Sequence, residues 1–456
     1  MNLYLFNTTD SAATYGIGTY LKELPHAIER ANIRIHIVHL QSTRPEFCIS
    51  TFRQGSMTGT GSMTNISTGS MTGTVGSMTD ISTGSMTGTG TMTGIENWYI
   101  PDVQNRNMLI GSKQAMDIYY RNVIFLLRLY ITDTTELVFH FNYNLFHSLA
   151  KGLKEFFNCK TVTTIHFIIW QLEMQGNLSR FNVLKLKPEN QRNTFEKMIY
   201  TTYTCENFLL KNVDRIIVLS YFTKNFLTNE YHIEPTKISV IPNGLADIIP
   251  ISETEKVVLR RKWHLPEKGL LILFVGRLDT VKGLSYLLGA FREVLKVLPD
   301  CRLMIAGNGH YDTYIQGNSD ICTKTSYAGL LQKNDLCELY RMADLGVMPS
   351  LNEQCSYVAI EMMMHGVPLV VSTSTGLNEM VEEGVSGLHV PVIEDENKVE
   401  IDTDLLAERM LFLLKNSEKR KQFGKNARKR YEEIYSPDVF RRNMLHFYES
   451  LLNDQS

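Results

Sequence analysis

Short apolar segments rich in β-branched residues alternate with longer helical patterns, and this alternation most restricts the folds open to the chain. Strands separated by helices form parallel sheets that helices cover on both faces. The first series of predicted strands comprises residues 3–7, 34–40, 137–140, 161–166 and 215–219, and the second comprises 270–275, 302–306, 345–348 and 369–371. Two series predict an α/β protein with two Rossmann-like domains, each with a ligand crevice at the carboxyl ends of its strands.

The length of the chain agrees with two domains, because 456 residues exceed what one hydrophobic core usually holds. We place the boundary after Pro242, where a proline ends a strand and Asn243-Gly244 forms a turn. The predicted domains are residues 1–242 and 243–435, and residues 436–456 form an amphipathic C-terminal helix.

Residues 55–94 interrupt the first domain with a repeated sequence built almost entirely from Gly, Ser, Thr and Met. Such a segment has little apolar surface to bury and much backbone entropy to lose. We therefore expect a flexible insertion. The alternatives are an acceptor-handling loop or a length-variable tract, and threonine also favours β structure, against which the glycine density argues.

Charge and composition exclude several classes of protein. A net charge of −2 argues against a nucleic-acid-binding protein. The seven cysteines include no CxxC pair, which is typical of reduced thiols in a cytosolic protein. The first residues lack the pattern of a secretory signal, and no segment is apolar enough to span a bilayer. These features predict a cytoplasmic protein.

The helical pattern at residues 113–132 has two interpretations. Arg121 and Arg128 lie there among aromatic and aliphatic residues. A buried face is the simpler interpretation for so apolar a helix, and a basic amphipathic face that docks on a membrane is the alternative. Peripheral contact with the inner face of the membrane therefore remains open.

A candidate anion site follows the strand at residues 270–275. Gly276 and Arg277 come at its carboxyl end, and Lys282-Gly283 open the next helix. Two cations on a strand-to-helix turn, beside helix-terminal N–H groups, form a site for phosphate oxygens. The GxxxxGK[ST] pattern of a P-loop is absent. Taken alone, Arg277 and Lys282 are more simply interpreted as a solvated surface pair.

Two carboxylates flank the helix start that follows the strand at residues 345–348. Glu353 lies in the loop, and Glu361 lies about two turns further on in the helix. A pair placed on both sides of exposed helix-terminal N–H groups can bind sugar hydroxyls on either side of a diphosphate. Taken alone, two glutamates at this spacing are commonplace, and chance or helix capping is the simpler explanation.

In their order along the chain these residues resemble a known family. The series is Gly276-Arg277, Lys282-Gly283, Gly307-Asn308-Gly309, Tyr327-Ala328-Gly329, Glu353, Glu361 and Gly366-Val367-Pro368. It resembles the retaining GT-B glycosyltransferases of glycosyltransferase family 4, over nearly the whole chain apart from residues 55–94 and most strongly over 238–390. The resemblance implies two Rossmann-like domains facing across a cleft and a C-terminal helix that crosses back to the N-terminal domain.

The family implies roles for the matching residues. Arg277 and Lys282 would neutralise the diphosphate of a nucleotide-sugar donor, Glu353 would hold hydroxyls of the donor sugar, and Glu361 would bind the ribose. Further contacts with the donor would come from Gly276, Gly329, Gln354, Cys355, Ser356 and Tyr357. The family commonly has Gly-Phe-Gly after the first glutamate, so this chain departs from the pattern there, and its backbone is more restricted.

Three residues of the N-terminal half complete the predicted site. Gly16 and Gly18 follow the first strand and are similar to the family's glycine-rich first loop, although an ordinary strand-to-helix turn has the same pattern. His166 ends the strand at residues 161–165, where family members often place a histidine beside the donor sugar. A packed core histidine is the alternative.

The resemblance implies retaining transfer of a hexose-type sugar, from a donor that we expect to be UDP-linked, to a glycan, lipid, peptide or small-molecule acceptor. We expect no cofactor and no divalent metal, because the only DxD-type sequence, Asp402-Thr403-Asp404, precedes a terminal helix and not a strand end. The alternatives are a non-catalytic partner that binds nucleotide sugar, and a phosphorylase or a nucleotide-sugar hydrolase-epimerase.

Overall fold

The computed structural model describes residues 1–8, 16–29, 31–52, 64–66, 95–102, 113–142, 146–247 and 253–453. The chain divides into two compact units, Met1–Thr163 with Leu451–Ser456, and Thr164–Ser450. Residues 164–242 therefore group with the second unit, and the domain boundary after Pro242 stays a prediction.

The first unit is built on a mostly parallel sheet. Its strands are β1 (Asn2–Thr8), β2 (Arg34–Ser42), β3 (Cys48–Phe52), β4 (Thr64–Ile66), β5 (Ile95–Pro101), β6 (Leu137–Phe141) and β7 (Lys160–Ile165), and its helices are α1 (Gly16–Ile28), α2 (Lys113–Tyr130) and α3 (His147–Phe156). The strand order is β4-β3-β5-β2-β1-β6-β7, and β3 runs antiparallel to both β4 and β5. The side chains of β6 are all buried, as are those of β1 except at Thr8, so they form the centre of this core.

The predicted flexible insertion at residues 55–94 lies outside the described residues except at Thr64–Ile66. Those three residues form β4 and pair with Thr51, Ser50 and Ile49 of β3. This short part of the repeat is therefore β structure, and the expectation for the rest stays a prediction.

The second unit begins with helices around a pair of parallel strands. Its first elements are α4 (Ile169–Glu173), α5 (Leu178–Leu186), α6 (Thr194–Asn212), β8 (Arg215–Val218), α7 (Tyr221–Glu230), β9 (Ile238–Val240) and α8 (Glu253–Lys262). Asn193 begins α6 with a capping box, because its side chain accepts from the N–H of Glu196 and the carboxylate of Glu196 accepts from the N–H of Asn193.

A six-stranded parallel sheet follows in the second unit, in the order β12-β11-β10-β13-β14-β15. Its elements are β10 (Leu271–Val275), α9 (Leu284–Val297), β11 (Arg302–Ala306), α10 (Tyr311–Gln316), β12 (Thr325–Gly329), α11 (Lys333–Met342), β13 (Leu345–Met348), α12 (Tyr357–Met364), β14 (Leu369–Ser372), α13 (Leu377–Met380) and β15 (Gly387–Val390). Helix α9 buries Leu284, Leu287, Leu288 and Phe291 on one face at helical spacing, and this face packs in the core beside β10.

The chain ends with a hairpin and three helices. These are β16 (Val392–Glu394), β17 (Val399–Ile401), α14 (Thr403–Lys415), α15 (Ser417–Arg430) and, after a π-helical turn at Tyr431–Tyr435, α16 (Pro437–Asn453). The predicted amphipathic face of α16 is buried at Phe440, Met444, Phe447, Tyr448 and Leu451. The helix belongs to the second unit up to Ser450 and to the first from Leu451.

Candidate functional site

The first part of the candidate site is the turn at residues 276–282, which we call the cation turn. It leaves the carboxyl end of β10 and closes with a 3-10 turn at Thr280–Lys282. The carboxylate of Asp279 accepts from the N–H of Lys282 at 3.1 Å and pairs with the guanidinium of Arg277 at 3.0 Å. Asp279 thus holds both the backbone of the turn and one of its two predicted cations.

Gly283 ends the cation turn in the left-handed conformation, with φ of 69°. A Cβ atom at this position would lie 1.9 Å from the carbonyl oxygen of Pro349. Only glycine satisfies both conditions, so the turn can pack directly against the end of β13.

The second part is the loop at residues 352–356, which we call the carboxylate loop. Its Glu353 forms an ion pair with Lys282, and the two side chains are only 14% and 21% exposed. The ammonium predicted to face a diphosphate and the carboxylate predicted to face a sugar therefore meet where β10 and β13 end. Arg277, 44% exposed, pairs with Asp279 in the same turn.

The backbone of Glu353 is held from the segment after β14. Its N–H donates to the hydroxyl of Thr375 at 2.9 Å, and that hydroxyl donates in turn to the carbonyl of Glu353. The N–H of Leu377 donates to the same carbonyl at 3.2 Å. Thr375 has φ of 33°, a left-handed conformation that is an outlier for a β-branched residue.

Gln354 points its side chain into the protein. Its amide nitrogen donates to the side-chain oxygen of Gln171 at 3.0 Å, and its amide oxygen accepts from the hydroxyl of Thr223. The hydroxyls of Thr223 and Ser220 lie 2.8 Å apart. All four side chains belong to buried residues, so we call Gln171, Ser220, Thr223 and Gln354 the polar cluster.

The next residues of the carboxylate loop are also occupied by packing and capping. Burial raises the pKa of the Cys355 thiol to about 12, and the carbonyl of Cys355 accepts from Asn243 at 3.0 Å. Ser356 is the N-cap of α12, where its hydroxyl accepts from the N–H of Ala359 at 3.4 Å. Tyr357 is the first residue of α12. Contacts between the donor and the backbone of Gln354, Cys355, Ser356 and Tyr357 stay a prediction.

Glu361 lies on α12, with its carboxylate 2.5 Å from the phenol of Tyr340, which donates to it. Burial raises the pKa of Glu361 and raises that of Tyr340 well above its ordinary value. The ring of His365 bonds to the carbonyl of Glu361 at 2.7 Å. Sequence reasoning missed Tyr340, because nothing in the order of residues joins this position on α11 to the carboxylate on α12.

Glycines bring the carboxyl ends of three neighbouring strands together. The N–H of Gly307, after β11, donates to the carbonyl of Gly329 at 2.8 Å, and the N–H of Gly276 donates to Ala306 at 3.0 Å. A Cβ atom on Gly307 would lie 1.8 Å from the carbonyl oxygen of Gly276, so no other residue fits. The predicted residues Gly276 and Gly329 thus lie on either side of the end of β11, at the edge of the sheet where a ligand can approach the backbone.

The predicted residues of the N-terminal half lie on separate elements. Gly16 begins α1 and Gly18 is buried in it, while residues 9–15, between β1 and α1, lie outside the described residues. His166 directly follows β7 and is partly exposed. Burial lowers the pKa of His166 to about 3, so its imidazole is neutral at pH 7.

The sequence predicted no metal centre, and a reaction without a divalent metal stays a prediction. Within the described ranges, no three His, Cys, Asp or Glu side chains gather as metal ligands. The carboxylate of Asp402 instead begins α14 as its N-cap, accepting from the N–H groups of Asp404 and Leu405 at 2.9 and 3.0 Å. No helix in the described part of the chain is long and apolar enough to cross a membrane.

Two family models match this chain. One describes glycosyl transferases group 1 and matches residues 256–430, and the other describes Glycosyltransferase Family 4 and matches residues 105–247. The two ranges together span more than half of the chain. The protein belongs to the group 1 glycosyltransferases, as the sequence motifs predicted.

The curated relatives match only part of this chain. An uncharacterized glycosyltransferase of Methanocaldococcus jannaschii is 33% identical over 39% of this chain and 46% of its own length. A D-inositol 3-phosphate glycosyltransferase of Corynebacterium kroppenstedtii is 30% identical over 41% of this chain and 44% of its own length. The chain therefore spans less than half the length of these curated relatives.

Solved structures resemble the whole chain. A sucrose-phosphate synthase from Thermosynechococcus elongatus has a TM-score of 0.71 at 18% identity, with 100% of both chains covered. Anabaena HepE, solved with UDP and glucose, has a TM-score of 0.64 at 13% identity and covers 98% of this chain and 99% of its own. This likeness concerns the fold alone, and it confirms the predicted GT-B class with its parallel sheets in two domains.

Proposed function

We propose that this protein transfers a hexose from a UDP-sugar to an acceptor, with retention at the anomeric carbon and without a divalent metal. The observation that supports it most is the contact between Lys282 and Glu353 where β10 and β13 end. The UDP and glucose bound to the structurally similar Anabaena HepE support the choice of donor. Retention follows the family resemblance, which implies front-side attack without a covalent intermediate.

The arrangement suits heterolysis of a bond between a sugar and a diphosphate. Negative charge grows on the leaving diphosphate as the bond breaks, and fixed cations stabilise it most at that moment. The ammonium of Lys282 has three N–H donors, so it can keep its contact with Glu353 while donating to a phosphate oxygen. Arg277, held by Asp279, would supply the second cation.

The nucleoside would lie further along α12. The carboxylate of Glu361 is oriented by the phenol of Tyr340, and a carboxylate so placed can accept from both hydroxyls of a ribose. His166, neutral at pH 7, would serve as a hydrogen-bonding group beside the sugar and not as a cation.

The main rival is a non-catalytic protein that binds nucleotide sugar for another transferase. Such a protein could lose a cation or a carboxylate without consequence, whereas here Lys282 and Glu353 are both present and in contact. For the acceptor, the proposal names only the class of molecule, which is a glycan, a lipid, a peptide or a small molecule.

A donor screen tests the proposal. Each nucleotide sugar is tested for stabilisation of the folded protein against heat, then for hydrolysis and for transfer, with and without EDTA. We expect UDP-hexoses to stabilise the chain and to turn over in EDTA. Binding without any turnover would favour the non-catalytic rival, and activity restored only by Mg²⁺ or Mn²⁺ would contradict the metal-independent mechanism.

A membrane-bound acceptor is favoured by one further observation. Helices α2 and α3 expose Ile118, Phe125, Leu129 and Phe156, at 59, 46, 76 and 41%. The guanidinium of Arg128 lies 5.1 Å from the ring of Phe156, and Arg121 is exposed on the same helix. Apolar side chains beside cations suit the surface of an anionic bilayer, so we propose peripheral contact there.

A further inference from the structure

We propose that Thr375 is a positioning residue that sets the orientation of Glu353 toward the donor sugar, with the polar cluster supporting the same loop at the next residue, Gln354. The inference rests on the proposed transferase function, because it assigns Glu353 to the sugar. No motif in the sequence pointed to Thr375, which lies in the segment between β14 and α13.

The contact of Thr375 with Glu353 is reciprocal. The hydroxyl of Thr375 accepts from the N–H of Glu353 at 2.9 Å and donates to the carbonyl of Glu353. These two bonds fix both peptide groups that flank the Cα atom of Glu353, and therefore the direction in which its side chain leaves the backbone. Since the carboxylate contacts Lys282, the hydroxyl sets where carboxylate and cation meet.

The conformation of Thr375 indicates that this contact is maintained against strain. A threonine at φ of 33° is sterically unfavourable, and strained residues persist where the surroundings determine them. The neighbouring Gly376 shows how close the two segments are, because a Cβ atom there would lie 1.8 Å from the carbonyl oxygen of Gln354. The segment that carries the hydroxyl is thus packed closely against the carboxylate loop.

The polar cluster supports the loop at the residue after Glu353. Gln354 follows Glu353 directly and is anchored by Gln171 on α4 and Thr223 on α7. Where the family commonly has a glycine, this chain therefore has a side chain whose hydrogen bonds restrict the loop. A loop held at Thr375 and at Gln354 presents Glu353 in one orientation before the donor arrives, which favours catalysis.

The experiment compares four variants of the full-length chain. Thr375→Val removes the hydroxyl and keeps the shape of the side chain, Thr375→Ser restores the hydroxyl, and Thr375→Gly relieves the strained backbone while removing the hydroxyl. Thr373→Val is the matched control, since that hydroxyl also accepts a backbone N–H, from Val392 at 3.0 Å, without contacting Glu353. The measurements are kcat and KM for the donor, the Kd of UDP and the melting temperature.

We expect Thr375→Val and Thr375→Gly to lower kcat by roughly 10- to 100-fold, as displacement of a positioned group does. The Kd of UDP should stay within about threefold, because both bonds of the hydroxyl go to Glu353, which is assigned to the sugar and not to the nucleotide. Thr375→Ser should recover most of kcat, and Thr373→Val should keep it. Thr375→Gly should lose kcat without losing melting temperature, which a merely structural role would not produce.

Two outcomes overturn the inference, and they are distinguishable from failure of the proposed function. Either Thr375→Val and Thr375→Gly retain wild-type kcat, or Thr373→Val loses as much of it as Thr375→Val does. A wild-type chain that binds UDP and turns over no donor would instead overturn the transferase function, and this inference with it.

Discussion

At the scale of single residues, the candidate site is a set of charged side chains whose directions other residues determine. Lys282 is directed by a backbone turn that Asp279 caps, and Glu353 by a backbone that Thr375 holds. Glu361 is directed by Tyr340. Each of these charged groups thus has a neutral or oppositely charged neighbour that restricts its position. Because the side chains are already in place, they need to move little during the reaction.

The two glutamates should respond differently to neutral substitution. Glu353→Gln should lower kcat by roughly 10²–10³, because its contact with the sugar strengthens as charge develops. Glu361→Gln should mainly raise the donor KM, because the ribose is bound alike in ground and transition states. Steady-state kinetics with the donor, and the Kd of UDP for both variants, separate the roles. Near-normal kcat and KM in Glu353→Gln would show that the site is wrongly assigned.

His166 should make stability depend on pH. Its folded-state pKa of about 3 lies below the ordinary value of about 6.5, so between these values the unfolded chain binds more protons and stability falls as pH falls. From pH 7 to pH 5, wild type should lose up to about 2 kcal/mol more unfolding free energy than His166→Gln. Denaturant titrations at both pH values measure this.

His26→Gln is the control for that measurement, because its side chain is 57% exposed on α1. This variant should follow the wild-type pH dependence. Parallel pH dependences of wild type and His166→Gln would contradict the view that burial keeps this imidazole neutral.

At the scale of elements, the sequence predicted best what is buried and local. The predicted strands at residues 302–306 and 345–348 coincide with β11 and β13, because central parallel strands are continuous apolar runs. The strands β3, β5 and β12 were missed, since short or partly polar strands depend on their neighbours for pairing. The apolar helix α2 was expected to bury its face, and it does so at Val123 and Leu127 while exposing a second apolar face at Leu129.

The site was predictable where the order of motifs along the chain resembles a known family. That resemblance assigned Lys282 and Glu353 to one site, although 71 positions separate them. Their supporting residues were not found, because Thr375 lies 22 positions from Glu353 and Gln171 lies 183 from Gln354. A single threonine or glutamine has no sequence signature for a contact that only the folded chain creates.

The polar cluster provides an energetic test of that long-range contact. Gln354→Leu leaves Gln171 and Thr223 without this partner in a buried place, which should cost about 1–3 kcal/mol of unfolding free energy. Gln171→Leu should cost a similar amount, and the double variant should cost less than the two together. Gln316→Leu, at an exposed position of α10, is the control and should change stability by less than about 0.5 kcal/mol. Strict additivity in the double variant would contradict the contact.

At the scale of the whole molecule, the motifs predicted a family that the two family models confirm, and a fold that the solved structures confirm. Substrate identity was less accessible, because the GT-B fold hosts many donors and acceptors, and function is determined by the site. The part of the chain before residue 238 resembles the family more weakly than the part after it, so the motifs say less about the acceptor than about the donor. The exposed surface of helices α2 and α3 is the observation that bears on where an acceptor would be met.

The exposed face of α2 and α3 should bind anionic vesicles. Leu129 and Arg128 supply an apolar and a cationic contact, each of which is typical of binding at a bilayer surface. We expect the protein to co-sediment with vesicles of phosphatidylglycerol and phosphatidylcholine, and to bind little to vesicles of phosphatidylcholine alone. Salt should weaken the binding, because it screens exposed charges. The double variant Leu129→Ser/Arg128→Glu should weaken binding about tenfold or more, since each basic residue near such a surface contributes about 1 kcal/mol.

The matched control for vesicle binding is Val258→Ser/Arg261→Glu on α8, which changes one exposed apolar residue and one exposed cation elsewhere. It changes net charge equally, so a general effect of charge would weaken both double variants alike. Loss confined to Leu129→Ser/Arg128→Glu would locate the contact on α2. Equal loss in both, or equal binding to neutral and anionic vesicles, would contradict docking by this face and would favour an acceptor that reaches the site from solution.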